Sequence, residues 1–175
     1  MPTEAGTKMQ KGISAVCRMH SAVSKLIVDF DKNVPWSSTS VFGNFATKDL
    51  TYHTKASYWM PEGVFRYLSS KADPKLVEAI TVCFIDSRLV EPLLLIGRLE
   101  YADDPIQAKY LCDGWDLWNL YFEWNKDWLE RVPMNCKIAP EASSRIRSAT
   151  LVAAPLYSVT SMNDVVELMK RVREV

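Results

Sequence analysis

This sequence of 175 residues is poor in the residues from which catalytic and metal-binding motifs are built. It has two histidines, and its four cysteines show no Cys-x-x-Cys spacing, whereas a zinc site needs three or four protein ligands. Its six glycines are dispersed, so it has neither a phosphate-binding glycine-rich loop nor a Gly-x-Ser-x-Gly nucleophile motif. The sequence therefore identifies no catalytic residue, no metal site and no cofactor, and it favours a non-catalytic protein.

The chain also lacks an excess of either charge, because 21 Lys and Arg residues balance 21 Asp and Glu residues. Nucleic-acid binding usually leaves a basic footprint, so that function is disfavoured. No apolar run reaches the roughly 20 residues of a membrane span, and the N-terminus lacks the residue order of a signal peptide. Scattered cysteines without a disulfide framework fit a reducing compartment. We expect a cytoplasmic protein that binds neither nucleic acid nor membrane.

Tryptophan is abundant, and four of the six tryptophans fall between residues 113 and 131. On a helical wheel the polar residues of this segment, Asp116 among them, share one arc, and apolar side chains occupy the rest. The pattern predicts a helix with Asp113 as its N-cap, ended by Pro133. Because the apolar arc is wider than one sheet face can cover, a second layer must lie against it. We favour another part of the same chain, with a partner or a ligand as the alternative.

The rest of the chain predicts a single α+β domain over residues 1–175, in which residues 1–7 are frayed. A heptad seam from Met9 to Phe30 predicts a long first helix that begins at Lys8. Alternating or β-branched segments predict strands over residues 41–47, 51–59, 64–69, 79–85, 92–101 and 149–154.

Two further segments complete the predicted order. Asp73-Pro74 predicts a single helical turn as far as Glu78, and residues 134–144 predict a loop. Thr160 or Ser161 is expected to cap a C-terminal helix. The fold class that follows is a mainly antiparallel sheet of about five or six strands, covered by a long N-terminal helix, an aromatic-rich helix and a C-terminal helix. We expect the first helix to lie beside the aromatic helix on one face of the sheet.

The candidate ligand or interface residues are aromatic or lie beside aromatic residues. The turn from Trp59 to Gly63, with Arg66 and Tyr67 after it, combines aromatic surface with one acid and one base, although cross-strand packing also explains Trp59 and Tyr67. His20 lies at the centre of the heptad seam, where a hydrogen-bonded core or interface histidine is favoured over a zinc ligand paired with Cys17. The full set is Trp59, Arg66, Tyr67, Trp115, Trp118, Phe122 and His20.

These observations predict a non-catalytic binding or interaction protein. We expect a homodimer that uses an aromatic-rich surface, or a pocket for a small apolar or aromatic ligand. Two alternatives are a small-molecule enzyme with an unrecognised active site and a dedicated inhibitor or immunity-type protein that binds one cognate partner.

Overall fold

The structure, a computed structural model, describes residues 3–34, 38–42, 62–108, 114–124, 136–138 and 145–174, and only the backbone of residues 123–124 and 136–138. It contains three α-helices: α1 (Glu4–Asn33), α2 (Asp116–Trp124) and α3 (Met162–Arg173). It contains six strands: β1 (Ser38–Ser40), β2 (Gly63–Ser70), β3 (Leu76–Cys83), β4 (Leu93–Tyr101), β5 (Cys136–Ile138) and β6 (Ile146–Pro155).

The six strands form one sheet in the order β1-β2-β3-β4-β6-β5, and every neighbouring pair is antiparallel. β2, β3 and β4 follow one another through short connections, while α2 lies in the chain between β4 and β6. The predicted α+β fold with an antiparallel sheet and three helices is confirmed. The strands predicted near β2, β3, β4 and β6 are confirmed as well, with boundaries that differ by at most three residues.

The helices divide between the two faces of the sheet. α2 packs on the face that presents Phe65, Tyr67 and Leu95, which form one hydrophobic cluster with Leu117 and Trp118. α1 and α3 pack on the opposite face, in a second cluster. That cluster combines Val23 and Phe30 of α1, Val165, Leu168, Met169 and Val172 of α3, and Val64, Leu68, Ile80, Val82, Leu94, Ile96 and Val152 of the sheet.

The prediction that α1 lies beside α2 is wrong. α2 instead has the sheet on one side, and partly buried residues at positions 41–42 and Leu89 of the β3–β4 connection pack against the same cluster. A helical wheel gives the width of an apolar arc but not the sheet face that covers it. Here the small residues Ala79 and Gly97 give the face under α2 room for bulky side chains, and a Cβ at Gly97 would overlap Leu117.

Two ion pairs connect α1 and α3 to the face of the sheet on which they pack. Arg66 on β2 is paired with Asp31 of α1 at 2.9 Å, and its guanidinium also donates to Ser40 Oγ. Arg173 of α3 donates from Nε and from Nη2 to the two carboxylate oxygens of the buried Glu78, each at 2.8 Å. The hydrogen bonds that Arg173 donates to the Glu78 carboxylate are the main cause that raises the pKa of Arg173 above its usual value.

Several local predictions need correction. α1 begins at Glu4 rather than Lys8, because Thr3 caps it by accepting a hydrogen bond from the Gly6 amide. Residues 4–7 are therefore helical. The Ser161 cap of α3 is confirmed, and Asp164 completes a capping box.

The other corrections concern strands. Asp73-Pro74 forms a turn and not a helix, because Leu76 already pairs with Glu100 across the sheet. A three-residue strand, β5, lies inside the predicted loop 134–144. The first edge strand is Ser38–Ser40, just before the predicted segment 41–47, of which only residues 41–42 are described, as a turn. The predicted strand 51–59 lies outside the described residues.

Candidate functional site

Two glycines, Gly63 and Gly114, allow the aromatic segment and the sheet to approach each other closely. Gly114, just before α2, has a φ of +83°, a conformation that favours glycine, and a Cβ there would lie 2.5 Å from the ring of Phe65. Gly63, the first residue of β2, lies under the indoles of Trp115 and Trp118, which a Cβ would approach to 3.1 and 3.2 Å. At these two positions no side chain separates the backbone from the aromatic rings, so the two are in direct contact.

A buried polar network holds the first turn of α2. Asp116 is 1% exposed and is paired with Arg145, at the start of β6. Tyr101 Oη donates to the same carboxylate at 2.7 Å, and Tyr67 Oη accepts from the Leu117 amide at 2.9 Å. The carboxylate also lies in the first turn of the helix, where the dipole favours negative charge. The start of α2 is thus tied to β2, β4 and β6.

This arrangement corrects the predicted polar arc, which placed Asp116 on the solvent side of the helix. Asn119 is the exposed residue of α2 among the side chains described, and Leu117, Trp118, Leu120, Tyr121 and Phe122 are all buried. A wheel sorts residues by polarity alone, so it cannot distinguish a solvated carboxylate from one that a guanidinium and a phenol satisfy. Over residues 117–122, the part of the apolar arc whose side chains are described, the apolar residues are buried within a single chain, as favoured from the sequence.

A cleft opens beside α2 at the end of the sheet where β2 begins and β3 ends. It has a volume of about 250 Å³. Its lining combines two indoles with two carboxylates, a guanidinium and an amide, contributed by Glu62, Asp86, Arg88, Trp115, Trp118 and Asn119. With one Arg against two acids, the lining has a formal charge of −1 at neutral pH.

The β3–β4 connection forms one wall of the cleft. Arg88 donates from Nε and Nη2 to the two carboxylate oxygens of Asp86 at 2.8 and 2.6 Å, and its amide donates to Asp86 at 2.8 Å. The guanidinium carbon also lies 3.8 Å from the ring centre of Phe122, in cation–π geometry. The hydrogen bonds from Arg88, with a further one from the side chain of Trp118, hold the pKa of Asp86 below its usual value.

The buried layer between α2 and the sheet contains titratable groups that are held neutral. Burial raises the pKa of the Cys83 thiol far above its usual value, with Asp86 adding to the effect, so the thiol is protonated and a poor nucleophile. Burial likewise raises the pKa of Tyr121. Thr81 Oγ, on the same face of the sheet, is buried without a hydrogen-bond partner among the described residues. These buried groups are suited to packing rather than to nucleophilic chemistry.

The structure brings together only part of the predicted set of candidate residues. Trp115 and Trp118 meet edge to face at 4.8 Å and line the cleft, and Phe122 lies against Trp118 at 5.9 Å. Tyr67 is fully buried beneath them.

Two of the predicted residues lie elsewhere. Arg66 and His20 are on the opposite face of the sheet, where Arg66 pairs with Asp31 and His20 packs on Phe84 at 5.2 Å. Trp59 lies outside the described residues. Neighbouring strand residues point to opposite faces, which is why Arg66 and Tyr67 separate.

Sequence reasoning gave no role to Asp86 and Arg88, which lie in the connection between two predicted strands. It included Glu62 in the marked turn 59–63 but gave it no role. The Asp-Ser-Arg spacing was the available signal, since an Asp two residues before an Arg can accept from both its amide and its guanidinium. Nothing in the sequence indicated that this turn would meet the aromatic helix.

We expect the Asp86–Arg88 pair to make stability depend on pH. The pKa of Asp86 is lowered in the folded chain, so its stabilising contribution is present above its ordinary value and is lost as the pH falls through the folded value. Asp86→Asn should lower the free energy of unfolding by about 1 kcal/mol at pH 7, and the difference should vanish near pH 2. Denaturant unfolding at both pH values measures this, and the exposed Asp103→Asn is the control. An equal deficit at both pH values would contradict the electrostatic origin.

Among the described residues, no three His, Cys, Asp or Glu side chains come together in a way that could hold a metal ion. In the same part of the chain, no helix has the length and apolar character needed to cross a membrane. Comparison with protein family models, curated proteins and solved structures finds no match for this chain.

Proposed function

We propose that this protein is a non-catalytic binding protein whose ligand is a small organic cation held in the cleft beside α2. The supporting observation is the lining itself, in which two indoles accompany two carboxylates and a single guanidinium. Because Arg88 is paired with Asp86 and stacked on Phe122, the positive charge of the lining is already engaged. A cation with a hydrocarbon portion satisfies both the carboxylate of Glu62 and the aromatic surface.

The size of the cleft narrows the ligand class. A volume of about 250 Å³ is below the roughly 300–1,000 Å³ of sites for drug-sized molecules. A substituted ammonium of few carbon atoms fits this volume. The lining is more polar than the apolar pocket expected from the sequence, because Glu62 and the Asp86 pair come from outside the aromatic helix.

Binding is favoured over catalysis by the state of the nearby groups. The thiol of Cys83 is protonated, and Asp86 has a lowered pKa, which makes it a weak base.

Cys17 and Cys83 are free thiols, which supports the predicted cytoplasmic location.

Choline and its uncharged isostere dimethylbutanol test the proposal, because they share a shape and differ in charge. We expect choline to change the tryptophan fluorescence in a saturable way, since Trp115 and Trp118 line the cleft, while dimethylbutanol has little effect. Glu62→Gln should weaken choline binding about tenfold, which corresponds to about 1.4 kcal/mol. Glu91→Gln, a change of the same kind in the β3–β4 connection but outside the cleft lining, is the control.

Two outcomes would contradict this function. Equal responses to choline and dimethylbutanol would show that charge is not recognised. The absence of any response up to roughly 10 mM choline, well beyond a weak millimolar affinity, would show that the cleft does not take substituted ammonium ions.

A further inference from the structure

The N-terminal half of α1 carries apolar side chains that the described part of the chain does not cover. Met9 is 70% exposed and Ile13 is 59% exposed, and no residue between Thr3 and Ala22 is buried. From Val23 onwards the same heptad seam faces the sheet, and Val23 and Phe30 are buried. One continuous seam therefore has an inner half packed on the sheet and an outer half of about four turns that is exposed.

An apolar groove lies where the two halves of the seam meet. It has a volume of about 300 Å³ and lies between α1 and the chain just after β6. Met19 and Leu26 form one wall, and Pro92, Leu156 and Tyr157 form the other. Tyr157 is itself 72% exposed, so the groove and the outer seam form one apolar surface.

The residues that flank the outer seam carry no charge. In the heptad register Ile13 is at position a and Val16 at position d, which places Lys11 and Arg18 at position f, away from the seam. Positions e and g hold Gln10, Gly12, Cys17 and Met19. A seam with neutral flanks can lie against an identical seam without bringing like charges together, whereas charged flanks would select a complementary partner. The occupant that suits this surface is a second copy of the chain.

We propose that two copies pair through the outer halves of α1, side by side and antiparallel. When Ile13 lies opposite Val16 of the second copy, Met9 falls opposite His20, and each a position meets a d position. In this register Gly6 falls opposite Val23 of the second copy, which is already buried against its own sheet. Because Gly6 is small, the two helices can approach closely at this point. The start of each helix then covers the groove of the other copy.

The size of the surface explains why the groove is required. Two helices that overlap from Glu4 to Lys25 share about 33 Å of length, and a strip about 12 Å wide gives roughly 800 Å² for both copies. Specific interfaces bury at least about 1,000 Å², so the seam alone is too small. The groove adds apolar area twice because of the symmetry. We expect a dimer with a dissociation constant on the order of micromolar.

Sedimentation velocity of the full chain over a range of concentrations tests the pairing. Ile13→Glu should raise the dissociation constant about 100-fold or more, because it buries an unpaired charge at the centre of the interface. Val28→Glu is the matched control, since Val28 is a 47% exposed valine of the same helix at position b, away from the seam, and it should leave the dimer unchanged. Both sites are exposed, so circular dichroism should report unchanged folding.

Cysteine cross-linking tests the direction of the helices. In an antiparallel pair position e faces e, so Gln10→Cys should form a disulfide with the native Cys17 of the second copy under mild oxidation. In a parallel pair position g faces e, and Gly12→Cys would form the bond instead. Residues 10 and 17 of one helix are about 10 Å apart and cannot bridge internally.

The inference does not depend on the ligand cleft, and its failures are distinct. A monomer at all concentrations up to about 1 mM would overturn it and leave the seam to a different partner. Loss of the dimer in Val28→Glu, or its persistence in Ile13→Glu, would overturn the assigned surface. A cross-link through residue 12 and not residue 10 would overturn the antiparallel arrangement.

Discussion

Replacement of Arg145 by alanine is expected to lower the free energy of unfolding by about 3–5 kcal/mol. The loss is large because Asp116 is 1% exposed and would remain buried without its guanidinium partner. Asp116→Ala should cost less, since the Arg145 side chain is 33% exposed and can turn to water, leaving Tyr101 as the buried group that loses its acceptor. Denaturant unfolding of the two variants measures this asymmetry.

The neighbouring Arg147→Ala controls for the loss of an arginine from β6, because Arg147 is exposed. An equal and small decrease in the free energy of unfolding for both alanine variants would mean that Asp116 is hydrated. The ion pair between α2 and β6 would then be unimportant for folding.

Gly63→Ala should destabilise the chain by about 3 kcal/mol, the upper end of the range for overpacked cores. The new methyl group would overlap the carbonyl oxygen of Val82, a backbone atom that moves only if β2 and β3 separate. It would also press on the indoles of Trp115 and Trp118, so the tryptophan emission should shift in the folded variant.

Gly12→Ala is the matched control and should have the opposite sign. Nothing lies within 4 Å of a Cβ at Gly12, which is inside α1, so alanine should add about 1 kcal/mol through helix propensity. Both substitutions change the unfolded chain in the same way, and their difference therefore reports the native contacts. A neutral Gly63→Ala would mean that the indoles do not rest on the first residue of β2.

The parts of the fold that follow from periodicity could be predicted from the sequence. The β-branched residues of β3, the alternation in the second half of β4, the seam of α1 and the Ser161 cap can each be recognised within one element, so the three helices and the antiparallel sheet followed. The sequence did not show which face of the sheet α1 occupies, because the apolar arcs of α1 and α2 could each pack against either face. That choice depends on residues distant in the sequence, such as Gly97 beneath Leu117.

The site was predictable in part for the same reason. The indoles of Trp115 and Trp118 belong to one segment whose composition marks it, whereas Glu62 and Asp86 reach the cleft only through the pairing of β2 with β3. The polarity of Asp116 suggested solvent, and only the tertiary arrangement of Tyr101 and Arg145 shows how a carboxylate is accommodated inside. Long-range pairing therefore accounts for most of what the sequence left open.

The short edge strands of the sheet also affect how copies of this protein can associate. In the part of the chain that is described, the outermost strands on both sides, β1 and β5, have only three residues each. A strand this short offers few backbone groups to an incoming strand, which is one way in which proteins avoid open-ended fibril growth. Over the described residues the sheet therefore offers little edge for strand-to-strand stacking, which is compatible with the proposed pairing of two copies through α1.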